Sequence, residues 1–401
     1  MNDLSERVLD SYSLGEGAWR KGRNLIVTVA LAGWAASLLG WRSDPVRFSA
    51  AYLVAFVSFL TIALGSLFFV MLAHLTGSAW SVTMRRIAEN VMFTIPAGAV
   101  LFLPVAFSLG SLYAWARPAD VAADPVLQGK AAFLNPQFFY LRAAVYFVLW
   151  SFWALRLYWL STSQDECGSL RKARSAERWS APGMLMLTVT VALASFDWLM
   201  SLDPHWYSTM FGFYIYAGAG LAFFAALALI LLAFRGAGVL RHSVNHEHYH
   251  DLGKWIFGLT VFWAYIAFSQ YMLIWYANLP EETVWFRDRL VGSWRSVAAV
   301  LVIGHFVVPF LVLVSRAAKR RLSILGAAAA WVLLMQYTDL YWVTMPVFSK
   351  RGFAPSWMDL AALAAVGGTA GLVFWSRLGR RALAPTGDIR FERSLEFTNV
   401  F

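Results

Sequence analysis

The sequence predicts an all-α integral membrane protein with about ten transmembrane helices. Three observations predict it. Of 401 residues, 59% are hydrophobic and only 14% are charged, against roughly 45–50% and about 25% in soluble domains. Aromatic residues make up 16%, with 20 Trp, and Trp and Tyr collect where hydrocarbon meets headgroups. Ten mostly apolar runs each reach the roughly 20 residues that a bilayer-crossing helix needs. This composition excludes a soluble one-core enzyme and a disordered or fibrous chain. A net charge of +10 would suggest nucleic acid in a soluble protein. Here the cations fall in short loops between apolar runs, so the expected medium is the lipid bilayer and no nucleic-acid partner is expected.

The elements follow in order. Residues 1–23 are polar and of mixed charge, an N-terminal tail. The first span, 24–41, has no small-residue cleavage site after it and reads as a retained signal anchor. The next spans lie near 48–73, 91–115, 138–161, 183–202, 210–234, 253–279, 296–315, 323–346 and 357–377, and 378–401 is a polar C-terminal tail. None alternates in the manner of a barrel strand. Lys and Arg orient the array. Twenty-one lie in the N-terminal tail, in loops 74–90, 162–182, 235–252 and 316–322, and in the C-terminal segment counted from Arg377, and nine in the opposite loops. The excess puts both tails in the cytoplasm of a multi-pass inner-membrane protein. No polar linker is long enough to hold a separate soluble domain, so the chain is expected to work with partners. Two four-helix bundles plus two flanking helices would use ten spans. Ala217-Gly218-Ala219-Gly220 and the Gly367/Gly371 pair are expected to let helices approach closely.

Polar residues at membrane depth need partners or a task, since an ionised group at mid-bilayer costs about 2.5–3.5 kcal/mol on insertion scales. Asp197 and Asp339 lie at similar depth in the fifth and ninth spans, and Gln336 shares a face with Asp339. The two acids are suited to sharing a proton or binding a cation; alternatively each pairs with an Arg or a backbone donor. Arg142 and Arg156, in the fourth span, are the counter-ion candidates, and snorkelling is their plainer use. His305 lies mid-span, four residues before Pro309, which leaves the His305 carbonyl without its helical donor. The loop Ser201–Thr209 is broken by Pro204 and closed by Ser208 or Thr209 as a helix cap. It also holds Asp203, His205, Trp206 and Tyr207, groups that suit a quinol headgroup or proton acceptance. His242, His246, His248 and His250 are a weak metal alternative to a solvated loop. The single cysteine, Cys167, cannot hold an iron–sulfur cluster, which usually takes four thiolates. With one deep histidine, bis-His haem is not expected either.

At this point the residues resemble a family. Ser195-Phe196-Asp197-Trp198-Leu199-Met200-Ser201-Leu202-Asp203-Pro204-His205-Trp206-Tyr207 is similar to a stretch of a membrane subunit of bacterial alternative complex III, a quinol:electron-acceptor oxidoreductase. Two further stretches agree: His250–Lys254 with Phe262–Thr283, including Gln270, and Gly292–Trp294 through His305-Phe306 to Pro309-Phe310. The resemblance covers about 24–346 and is to polysulfide-reductase-like (NrfD-type) subunits. The resemblance implies a chain without a redox cofactor of its own, second to a related quinol-binding membrane subunit. It implies as partners that subunit, a large iron–sulfur subunit, cytochrome c subunits with haem c, and a cytochrome c or terminal oxidase as electron acceptor. It implies a proton path or quinone contact drawn from Asp197, Asp203, His205, Trp206, Tyr207, Gln270, His305, Gln336 and Asp339. The chain would not be catalytic alone. The rival expectation, from the charged residues at depth, is a proton-coupled secondary transporter.

Overall fold

The computed structural model describes residues 11–399. The first ten residues of the expected N-terminal tail, and the last two of the chain, lie outside the described residues. Among the described residues there are ten helices long and apolar enough to cross a membrane. They are α1 (Glu16–Ser43), α2 (Pro45–Leu75), α3 (Val82–Phe107), α4 (Pro136–Gln164), α5 (Leu170–Leu202), α6 (Met210–Gly236), α7 (His246–Ala277), α8 (Trp294–Leu313), α9 (Leu322–Val347) and α10 (Trp357–Leu378). No strand occurs among the described residues; Ser11 and Val239 form an isolated parallel bridge. The all-helical membrane class is as expected.

Local chemistry sets the starts. Asp44, Asn135, Asn245 and Ser356 each accept a backbone N–H in the first turn of α2, α4, α7 and α10, relieving donors that a helix start leaves open. Pro45 and Pro136 follow two of these caps, where a missing N–H is harmless. In α10 the Ser356 N–H in turn donates to Asp359 Oδ2 at 2.7 Å. The expected cap at Ser208 or Thr209 does not form by side chain: Thr209 starts α6 with no such bond, and the Ser208 hydroxyl points instead to Gln270, 3.3 Å away.

The third span departs most from expectation. It begins at Val82, nine residues before the apolar run, and takes Arg85, Arg86 and Glu89 inside the protein. Beyond Met92 it is broken at Thr94, Phe102 and Ser108, around Pro96 and Pro104, because a proline removes a helical hydrogen bond and clashes with the preceding turn. The loop after it, expected to be merely polar, carries two short helices, Pro118–Ala123 and Pro125–Lys130.

The helices α2 and α6 form the centre, and α1 is peripheral: 78% of the apolar window of α2 and of α6 is buried, against 22% in α1. The α2 helix packs on α3, α5, α6, α9 and α10, and α1 packs chiefly on α10. That last contact is close because of glycine. A side chain on Gly33 would strike the backbone of Ala364, and one on Gly368 would strike Ala30. The expected Gly367/Gly371 pair also lies at helix contacts, Gly367 under the Phe59 ring of α2 and Gly371 beside Ile26 of α1.

Both ends of the described chain meet on one face of the array. The Leu383 N–H donates to Tyr12 O at 2.8 Å, the Leu240 N–H to Ser11 O at 3.2 Å, and the Asn245 side chain to Phe397 O at 2.9 Å. This tail face therefore has the C-terminal segment 379–399 laid across the loops between α2 and α3, α4 and α5, and α6 and α7. The opposite, distal face holds loops 108–135, 203–209, 278–293 and 348–356.

Candidate functional site

The two intramembrane acids do not meet. Asp197, near the distal end of α5, is held by α4. The Arg142 guanidinium donates to both its oxygens, at 2.8 and 2.7 Å, and the Tyr146 hydroxyl donates to Oδ2 at 2.7 Å. A third Arg142 N–H reaches Phe133 O at 3.0 Å, and the guanidinium carbon lies 3.9 Å from the Phe133 ring centre. Asp197 is 1% exposed, and its carboxylate is fully partnered. This is the fork-on-carboxylate geometry that suits a fixed structural charge pair. Of the two arginine candidates, Arg142 is thus the counter-ion. Arg156 is not; it lies over the rings of Trp159 and Trp179 at 5.0 and 5.5 Å.

Asp339 is different. It is 1% exposed on α9, and no described residue forms an ion pair with it. The Tyr214 hydroxyl of α6 donates to Oδ1, while Oδ2 is buried with no hydrogen-bond partner. Trp263 of α7 stands against the carboxyl and the Tyr214 ring, and its indole N–H also has no hydrogen-bond partner within bonding distance. On the Trp263 ring rests His305, with ring centres 3.9 Å apart. His305 is fully buried, and neither of its ring nitrogens has a partner. The Pro309 kink expected at this histidine takes a specific form: Leu301–Val307 is a π-helical stretch, a local widening often found at functional sites. Its Gly304 carbonyl accepts from the Trp331 indole at 2.6 Å. One turn before Asp339, Gln336 presses on Gly218, where a Cβ would come within 2.6 Å of its amide nitrogen; the Gln336 carbonyl oxygen is also unpartnered. Gly218 thus makes room for a polar side chain as well as for helix contact. Buried polar atoms are nearly always satisfied, yet Asp339 and three residues of its group, Trp263, His305 and Gln336, each keep an open polar atom.

The rim residues at the distal face divide into two groups. His205 is exposed and lies 2.7 Å from Asp124 Oδ2. Against the opposing effect of burial, the Val126 N–H and the His205 ring hold the Asp124 carboxyl below its ordinary range. Tyr207 is exposed beneath Lys130. Trp206, by contrast, is buried and stacks on Trp285 at 4.5 Å. Over Trp285, at 3.7 Å, lies Arg289, a residue that the sequence placed in an ordinary loop. It is 2% exposed and donates to Val343 O of α9 at 2.7 Å and to Trp285 O at 3.1 Å. Burial pulls its guanidinium down to about 9, a value Asp203 and Asp288 partly restore, so it stays charged at neutral pH.

A second charged cluster, on the tail face, escaped the sequence reading. Arg85 donates to Glu89 at 3.1 Å and to Asp388 of the C-terminal segment at 2.6 Å. Arg86 donates to Glu89 at 2.7 Å and pairs with Asp165 at 2.8 Å and Ser161 at 3.1 Å. Arg85, Arg86 and Glu89 are fully buried. Burial pushes the Asp388 carboxyl up, but Arg85 and the Arg390 N–H outweigh it and hold the group below its ordinary range. The four loop histidines are not gathered. His242 and His246 are exposed, His248 turns back onto the Asn245 amide at 3.2 Å, and His250 lies 3.4 Å from Asn399. No group of three or more His, Cys, Asp or Glu placed to hold a metal occurs among the described residues.

No protein-family model matches the chain, and no curated protein sequence matches it.

Proposed function

We propose that this chain is the second, cofactor-free membrane subunit of a respiratory quinol:electron-acceptor oxidoreductase of the alternative complex III type. In this reading its tails are cytoplasmic, it scaffolds the complex, and it conducts protons through the Asp339 group. The observation that carries the proton role is the Asp339 carboxyl, buried without a cation and with one oxygen free beside Tyr214, Trp263, Gln336 and His305. An acid so placed can exchange a proton through water, whereas Asp197, clamped by Arg142, is a structural ion. The path would run from Asp339 to the distal rim at Asp203. The pairing of α1 with α10 at the edge of the array supports a division into α2–α5 and α6–α9 bundles with two flanking helices. Quinol chemistry, iron–sulfur clusters and haem c belong to the partner subunits in this reading.

Two measurements test it. Purified from native membranes in mild detergent, the chain should bring with it multihaem cytochrome and iron–sulfur subunits; its recovery alone overturns the assignment. In the reconstituted complex, Asp339→Asn should leave quinol oxidation intact and reduce proton release per electron. Unchanged release removes the proton role. The buried acid also favours one rival, a proton-coupled transporter, which predicts solute uptake by the chain alone in liposomes under a pH gradient.

A further inference from the structure

A cavity of about 400 Å³ opens on the distal face, away from the Asp339 group, between the ends of α4 and α5 and the loops beside them. Its size falls in the ~300–1,000 Å³ range of ligand pockets. Phe133, Leu134, Phe196 and Met200 give it an apolar wall, and Lys130 gives it donors. The Lys130 ammonium gives one hydrogen bond to Pro204 O, at 2.5 Å, and lies 5.6 Å from the Tyr207 ring centre. An ammonium has three donors, so two remain, and no carboxylate pairs with it among the described residues. No acid lines the cavity. It therefore joins one uncompensated positive charge to a hydrocarbon wall. It lies beside the distal ends of α4 and α5.

We infer that this cavity holds the headgroup of an anionic phospholipid, with its phosphate on the Lys130 ammonium and its glycerol end along Phe133, Phe196 and Met200. The charge and the donors select an anionic acceptor. The apolar wall distinguishes a lipid from free phosphate, and the ammonium distinguishes it from a neutral quinone. Occupancy would brace loop 116–135 against loop 203–209.

The test is native mass spectrometry of the intact chain released from nanodiscs of mixed phosphatidylglycerol and phosphatidylcholine. The wild-type chain should keep phosphatidylglycerol in preference. Lys130→Gln should weaken its retention about tenfold, the size expected for a charged hydrogen bond. Lys130→Arg should retain it. Matched unfolding midpoints will show that the variants are folded. Equal retention by Lys130→Gln and wild type overturns the inference, as do equal retention of phosphatidylcholine, displacement by inorganic phosphate, or preferential binding of a quinone added to the discs.

Discussion

Replacing Arg142 by Leu tests the view that Asp197 is a structural charge. Leucine keeps apolar volume between Phe133 and Phe138 and removes every donor. The variant loses two charge-assisted bonds to Asp197 and one to Phe133 O. It leaves a carboxylate that is 1% exposed with only the Tyr146 hydroxyl. Removing one member of a buried pair costs about 3–5 kcal/mol. If these bonds behaved as average interhelical hydrogen bonds in a membrane, the loss would be only about 1 kcal/mol. The double variant Arg142→Leu/Asp197→Leu discards both charges and orphans only the Tyr146 hydroxyl, so it should recover most of the loss, to within about 1–2 kcal/mol of wild type. Reversible unfolding in mixed detergent and dodecyl sulfate micelles, followed by circular dichroism, measures all three proteins. A single variant within about 1 kcal/mol of wild type, or a double variant worse than the single, refutes the reasoning.

Asp339→Asn should behave in the opposite way in the same assay, with stability unchanged or slightly raised, because the acid it removes has an unpartnered oxygen. Asp388→Asn should free the C-terminal segment from Arg85, which limited proteolysis within 379–399 will report. The same release should follow acid. The folded Asp388 carboxyl titrates below its unfolded value, so its contribution is complete above about pH 4 and is lost as pH falls through the folded pKa; proteolysis at neutral pH and near pH 3 compares the two. Gly33→Leu should separate α1 from α10, because its side chain meets the Ala364 backbone; crosslinking between cysteines introduced at positions 34 and 369, whose native side chains hydrogen-bond across the two helices, should drop in that variant and stay unchanged in Gly15→Leu, where a Cβ meets nothing.

The ten helices were legible because each must be apolar for most of its length wherever it packs. Their starts were less so. The sequence read Arg85 and Arg86 as loop residues because charge usually marks water, and their partners at 165 and 388 lie far off in sequence. Asp197 and Asp339 could be found as intramembrane acids, yet nothing near either one distinguishes a clamped carboxylate from an open one. Counting from the shared distal end would have favoured Arg142, near the start of α4, over Arg156 as the partner of Asp197, near the end of α5. Arg289 had no such signal, since its burial depends on Trp285 and α9 closing over it. The open atoms of His305 and Gln336 depend on four helices converging, which no local pattern encodes.

The arginines at 85 and 86 also bear on how the protein is made. Arg85 waits through the synthesis of 303 residues before Asp388 exists to answer it. Until then Arg85 has only Glu89, which it shares with Arg86, while Arg86 gains Asp165 as soon as α4 is complete. A nascent chain must keep Arg85 hydrated or shielded while seven later helices enter the bilayer, and the segment that carries Asp388 completes a buried charge cluster that α3 opened.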